Sequence, residues 1–279
     1  AKDTLTLKER IDHHYLTGIA TIEATYENVD RVLKEFKSFF TSPISNKKNK
    51  YKTFVISGSN HPNKIHDLIS LLKLNKIEFG FLSSSKPKSI KNAYEYMTGE
   101  RKNIKITAKD VCIPSNQKLG ILASVLFEPK TFLSDTLTYD ITAWSLPYIY
   151  GLDAYAIENN VKLNLKENFP YSSTKTNIDE NPYGYLSKWG TINDLKFLAE
   201  ILNHRVTVRV AEKPFKHKGI NYKPGALFIS PRGNEHLGPK LHKIIQTAST
   251  NHSPEIMSIK TGSSSKGIDL GSSNFNVIT

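Results

Sequence analysis

A single cysteine, Cys112, in 279 residues excludes an internal disulfide and any thiolate-rich metal site, without fixing the compartment. Nor does any window approach the ~20 consecutive apolar residues that a membrane-spanning helix needs. The start AKDTLTLKER lacks the order of charges, apolar core and small residues that marks a secretory signal. The chain is therefore expected to be cytoplasmic, or a mature or excised piece of something longer.

Catalytic motifs are equally scarce. No Gly-x-Ser-x-Gly is present, so there is no nucleophile elbow. The run Gly262-Ser263-Ser264-Ser265-Lys266-Gly267 is not a phosphate-binding loop, because Ile268 stands where that motif needs lysine. Val111 and Ile113 flank Cys112, the setting of a buried strand thiol rather than a reactive thiolate. His252-Ser253-Pro254-Glu255 is the one His-x-x-Glu, and no histidine follows it to complete a zinc site. His13 and His14 are adjacent and diverge on a helix, and His236 and His242 do not face together, so neither pair makes a metal site by spacing.

What is present is enough apolar content for cores, at 38%, and a strongly basic balance, 38 Lys and Arg against 26 Asp and Glu for a net charge of +12. The lysines are scattered rather than striped, which argues against nucleic acid as a partner. Leu7, Ile11, Ile19, Ile22, Tyr26, Val29, Leu33 and Phe36 recur at helical steps, predicting one long helix or two, with a cap at Thr4 or Thr6 and a break near Asn28. That face is expected to be buried. Next come a strand at residues 53–57, a helix through Ile65, Leu68, Ile69 and Leu72, and a strand through Ile77, Phe79 and Phe81. The same plan returns at Tyr185-Leu186, Leu195 to Leu202, and Val206, Val208 and Val210.

A closer match is IKITAKDVCIPS from Ile104 against INYKPGALFISP from Ile220, gapless, with an amphipathic helix after each. The expected fold class is therefore α/β: two repeated strand-helix-strand units with mostly parallel sheet, plus an N-terminal helical segment. The divisions are a helical segment at 1–43, a first α/β unit at 50–136, an aromatic hinge at 137–157, a polar connection at 158–183, a second α/β unit at 184–260 and a Gly/Ser-rich tail at 261–279. The hinge holds Tyr139, Trp144, Tyr148 and Tyr150 around Pro147, with Asp140 its one charge between Asp135 and Asp153. Tyr139, Asp140, Trp144 and Tyr148 are the candidate residues for a ligand or interdomain contact.

The phrases LFEPKTFLSDTLTYDITAWSLPYIYGLDAYA (126–156), WGTINDLKFLAEILNHRVTVRVAEKPF (189–215) with INYKPGALFIS after it, and TGSSSKGIDLGSSNF (261–275) resemble a known family. They are similar to the region following the catalytic domain in large zinc carboxypeptidase-like proteins of the carboxypeptidase A superfamily, best known from secreted bacterial members. The resemblance covers nearly the whole chain. It implies a non-catalytic accessory region, with zinc held only in a catalytic domain absent from this chain and a secreted or periplasmic location. It also implies two partners, the peptidase catalytic domain of the same polypeptide and a peptide substrate. None of the family's catalytic residues can be carried onto this sequence. Two alternatives stand beside that expectation: a peptide- or glycan-binding module using the aromatic pocket, and an amidotransferase-like hydrolase.

Overall fold

The computed structural model describes residues 5–45, 49–130, 145–165 and 178–278. The chain divides into two compact units, Ala1–His61 with Ile65–Phe169, and Pro62–Lys64 with Pro170–Thr279.

The first unit begins with α1 (Leu7–Glu27) and α2 (Val29–Ser45). Thr6 starts α1 through a reciprocal capping box with Glu9, which satisfies two otherwise orphaned N–H groups. Asn28 marks the joint at φ −115° and ψ 23°. Its N–H still bonds Ala24 O at 3.2 Å and its carbonyl accepts from Val32 N at 2.9 Å, so the cap residue itself stays bonded to both helices. Against expectation, the apolar face is exposed: α1 buries none of its residues. Among the described residues, only the C-terminal end of α2 is anchored, where Pro43 is buried and lies against Gly120.

Then follow β1 (Thr53–Ile56), α3 (Pro62–Leu74), β2 (Gly80–Leu82), β3 (Lys88–Glu95), β4 (Arg101–Ile106), β5 (Val111–Pro114), α4 (Gly120–Phe127), the short α5 (Leu146–Ile149), β6 (Ala154–Ile157) and β7 (Leu163–Leu165). The sheet runs β4-β3-β6-β1-β5-β2-β7. In the second unit come β8 (Gly184–Ser187), α6 (Ile192–Asn203), β9 (Val208–Ala211), β10 (Phe215–His217), β11 (Ile220–Tyr222), β12 (Leu227–Ile229), α7 (Lys240–His252), β13 (Ile256–Ile259), β14 (Lys266–Gly267) and β15 (Phe275–Ile278). Its main sheet runs β13-β8-β12-β9-β15, and β11-β10-β14 form a separate three-stranded sheet.

The expectation of a mostly parallel sheet is overturned, because every strand pairing among the described residues is antiparallel. The reason is topological. The crossover β1-α3-β2 does join two strands of one direction, but β5 lies between them. The next crossover, β5-α4-β6, likewise straddles β1. Two interleaved crossovers thus fill each other's gap with an opposed strand, the split β-α-β plan of ferredoxin-like domains. The second unit has the same interleaving, with β8, β9, β12 and β13 in the places of β1, β2, β5 and β6.

Burial follows strand parity. In β1, Phe54 and Ile56 face the helices and join Leu68, Leu72, Ile113 and Phe127 in the main core, where the Phe54 and Phe127 rings stack at 5.5 Å. Val55 points the other way, with Cys112, Ile157, Ile90 and Ile106, into a smaller core on the opposite face. The second unit repeats this arrangement: Tyr185, Phe197, Ile201, Leu227 and Ile245 lie on the helix side, and Leu186, Phe215, Tyr222, Phe228 and Phe275 lie opposite.

Three of the segments named from sequence carry strands of these sheets. Residues 154–157 of the aromatic hinge are β6, paired along its length with β1. In the polar connection, residues 163–165 form β7 beside β2. The Gly/Ser-rich tail is part of the fold, since β14 pairs with β10 and β15 with β9. Gly267, at φ +93°, lets that tail run where a Cβ would sit 2.7 Å from Pro214 O. The small residues of the Gly/Ser-rich tail are here the means of close approach.

Candidate functional site

The second unit carries a hollow of about 410 Å³ at the start of α7. Tyr185 forms its back wall. This residue sits in β8 opposite Ile229 on one side and Ser258 on the other, and its side chain points to the helix face, fully buried. Pro239 and the turn at Gly238, φ +48°, start α7, and buried Leu241 pins its first turn to the core. That register brings the His242 ring to Tyr185, with Nδ1 3.2 Å from the hydroxyl oxygen. Buried Pro182 adds to the apolar wall, while Glu180 and Pro231 stand on the exposed rim.

Burial, with the Asp179 carboxylate as a smaller cause, pushes the Tyr185 hydroxyl up to about 12. It is therefore neutral at ordinary pH. One proton is shared between Tyr185 Oη and His242 Nδ1, in a direction set by the imidazole tautomer. A neutral phenol and an imidazole beside Pro182, Pro231 and Leu241, with Glu180 and Asn181 also lining this open hollow, set hydrogen-bonding groups among apolar ones, the usual composition of a binding pocket.

The residues singled out from sequence fare differently. Tyr139, Asp140 and Trp144 lie outside the described residues. Tyr148 is described, and its hydroxyl donates to Pro129 O at 3.3 Å. Its ring meets Tyr96 edge-on at 5.3 Å, and the Tyr96 hydroxyl donates to Phe127 O. Desolvation, reinforced by the neighbouring Tyr94, pushes the Tyr148 hydroxyl up to about 12. Tyr148 is thus one member of a tyrosine cluster on the first unit's core.

The His252-x-x-Glu255 pair does not converge on one point. His252 Nε2 meets Glu200 Oε2 at 2.7 Å, whereas Glu255 pairs with Lys188 at 2.5 Å. A helical End, the left-handed Ser253 at φ +47°, separates the two side chains. Among the described residues no three His, Cys, Asp or Glu side chains gather as a metal site. Cys112 is fully buried in β5, and burial, then Asp110, pushes its thiol up to about 12.

Sequence reasoning missed Tyr185 and His242 as a pair, because strand and helix periodicity accounts for each alone. The available signal was the set of turn formers Pro182, Pro231, Gly238 and Pro239, all four of which line the hollow.

Compared with known proteins, the chain matches no family model, no curated protein and no solved structure.

Proposed function

We propose that this chain is a non-catalytic accessory region of a zinc metallocarboxypeptidase-like protein, and that its second unit holds a peptide segment for a catalytic domain carried elsewhere on the polypeptide. The observation that supports this reading is the Tyr185–His242 pair on the wall of the hollow. A peptide offers what such a wall takes: apolar side chains against Pro182 and Leu241, and backbone groups for the phenol and imidazole. Glu180 on the rim favours a positively charged end. Zinc, on this reading, belongs to the catalytic domain, and the location follows that of the secreted or periplasmic parent.

The competing hydrolase reading needs a reactive thiolate. A buried thiol with a pKa of about 12 supplies almost none at neutral pH.

Saturation-transfer NMR with a pool of tripeptides tests the proposal. Tyr185→Phe removes one hydrogen-bonding group without opening the wall and is expected to weaken binding about tenfold, the worth of one buried hydrogen bond. His242→Ala should do the same. Affinity unchanged in both variants rules the hollow out, and stoichiometric zinc retained by this chain on elemental analysis overturns the accessory reading.

A further inference from the structure

The arm formed by α1 and α2 carries an apolar seam that nothing among the described residues covers. Tyr15, Ile19, Ile22, Tyr26, Val29, Leu33 and Phe36 follow one another at alternating steps of four and three, the a and d positions of a heptad repeat. All seven are exposed, from 40% at Ile19 to 82% at Tyr26. A helix lying on a globular surface follows the 3.6-residue turn and drifts across its neighbour. A seam kept at 3.5 residues per repeat matches a second helix that supercoils with it. Asn28 interrupts the regular helix, but its N–H and carbonyl keep helical bonds to Ala24 O and Val32 N, and the four-three spacing of the seam residues continues across the joint.

We propose that this seam is a dimerisation surface, and that its occupant is the same seam of a second copy of this chain. Charge favours a like partner. Residues 5–45 carry six carboxylates against five cations, nearly neutral in a chain whose net charge is +12. Two arms therefore meet without the self-repulsion that the rest of the surface would impose. The area suffices as well. Seven seam side chains, three of them aromatic, offer on the order of 800 Å² per copy, which is what a stable interface buries on each partner. An uncovered arm, by contrast, leaves α1 with no tertiary packing, and such packing supplies most of a helix's stability in water.

Light scattering coupled to size exclusion reads the outcome on the full chain at micromolar concentration. The expected mass is twice the 31.5 kDa of one copy. Ile22→Asp combined with Leu33→Asp, both on exposed positions of the single copy, should halve that mass while leaving the near-ultraviolet spectrum of the globular units unchanged. Lys34→Glu, off the seam, should leave the dimer intact. A wild-type mass of one copy up to 100-fold higher concentration, a mass of three or more copies, or a dimer that survives the double substitution overturns the proposal.

Discussion

Replacing Gln117 with Leu is expected to lower the unfolding free energy of the first unit by about 3–5 kcal/mol, the sum of three lost hydrogen bonds and the backbone groups left without partners. The side-chain amide is buried and used completely. Its Oε1 accepts from Glu78 N at 2.7 Å, and its Nε2 donates to Glu78 O at 3.0 Å and to Pro114 O at 2.6 Å. This ties Glu78, two residues before β2, to the end of β5. Asn234 does the same in the second unit. Its Oδ1 accepts from Thr207 N at 2.7 Å, and its Nδ2 donates to Thr207 O and Ser230 O, both at 2.9 Å. Each amide follows the corresponding strand, β5 or β12, and grips the entrance to the strand beside it, β2 or β9.

Acidic replacements sharpen the test. Gln117→Glu and Asn234→Asp keep the acceptor but aim a lone pair at two carbonyl oxygens and bury a charge, so both should be less stable at pH 7 than the Leu variants. Chemical denaturation followed by circular dichroism measures this. Glu and Asp variants as stable as wild type would show that the amides do not clamp the strands.

These clamps also mark where sequence reading stops. Periodicity at Ile65, Leu68, Ile69 and Leu72 indicates α3 directly, since burying one helical face leaves that spacing. The alignment of Ile104–Ser115 with Ile220–Pro231 falls on β4–β5 and β11–β12 for the same reason. Strand direction leaves no such trace. It depends on which strand fills the gap beneath a crossover, a long-range choice that the alternation of Val206, Val208 and Val210 does not encode. Gln117 and Asn234 are invisible for a related reason: a polar residue after a strand looks like any loop residue until its partners, 39 and 27 positions away, are known. Tyr185 and His242 are separated by 57 positions and meet only because β8 is central and α7 begins at Pro239. The exposed arm departs from expectation in the opposite sense. Its apolar stripe is evident in the sequence, but a stripe says that a face will be covered without saying by what.

Alkaline pH is expected to separate wild type from Cys112→Ala by a stability difference that changes sign. The thiol lies fully buried on β5 between Val111 and Ile113, and its pKa rises from 9 to about 12. A group raised in the folded state favours folding only while it stays protonated. Below pH 9 both states carry the proton and the thiol contributes its packing and a weak hydrogen bond to Asp110 O. Between pH 9 and about 12 the unfolded chain ionises first, so stability drains away as the pH rises, by about 2 kcal/mol at pH 10.5 and about 4 kcal/mol at pH 12. Alanine has no proton to lose. It gives up about 1 kcal/mol of packing at pH 7, and should therefore be the less stable protein at pH 7 and the more stable one at pH 10.5. Tyr185 and Tyr222, whose hydroxyls burial also pushes up to about 12, weaken both proteins alike above pH 10, so the difference between the two isolates the thiol. Urea unfolding at the two pH values provides the reading. A gap that keeps its sign and size would mean that the thiolate is accommodated in the folded state, by water or by a cation reaching β5, and that Cys112 is more accessible than its packing against Val55 and Ile157 allows.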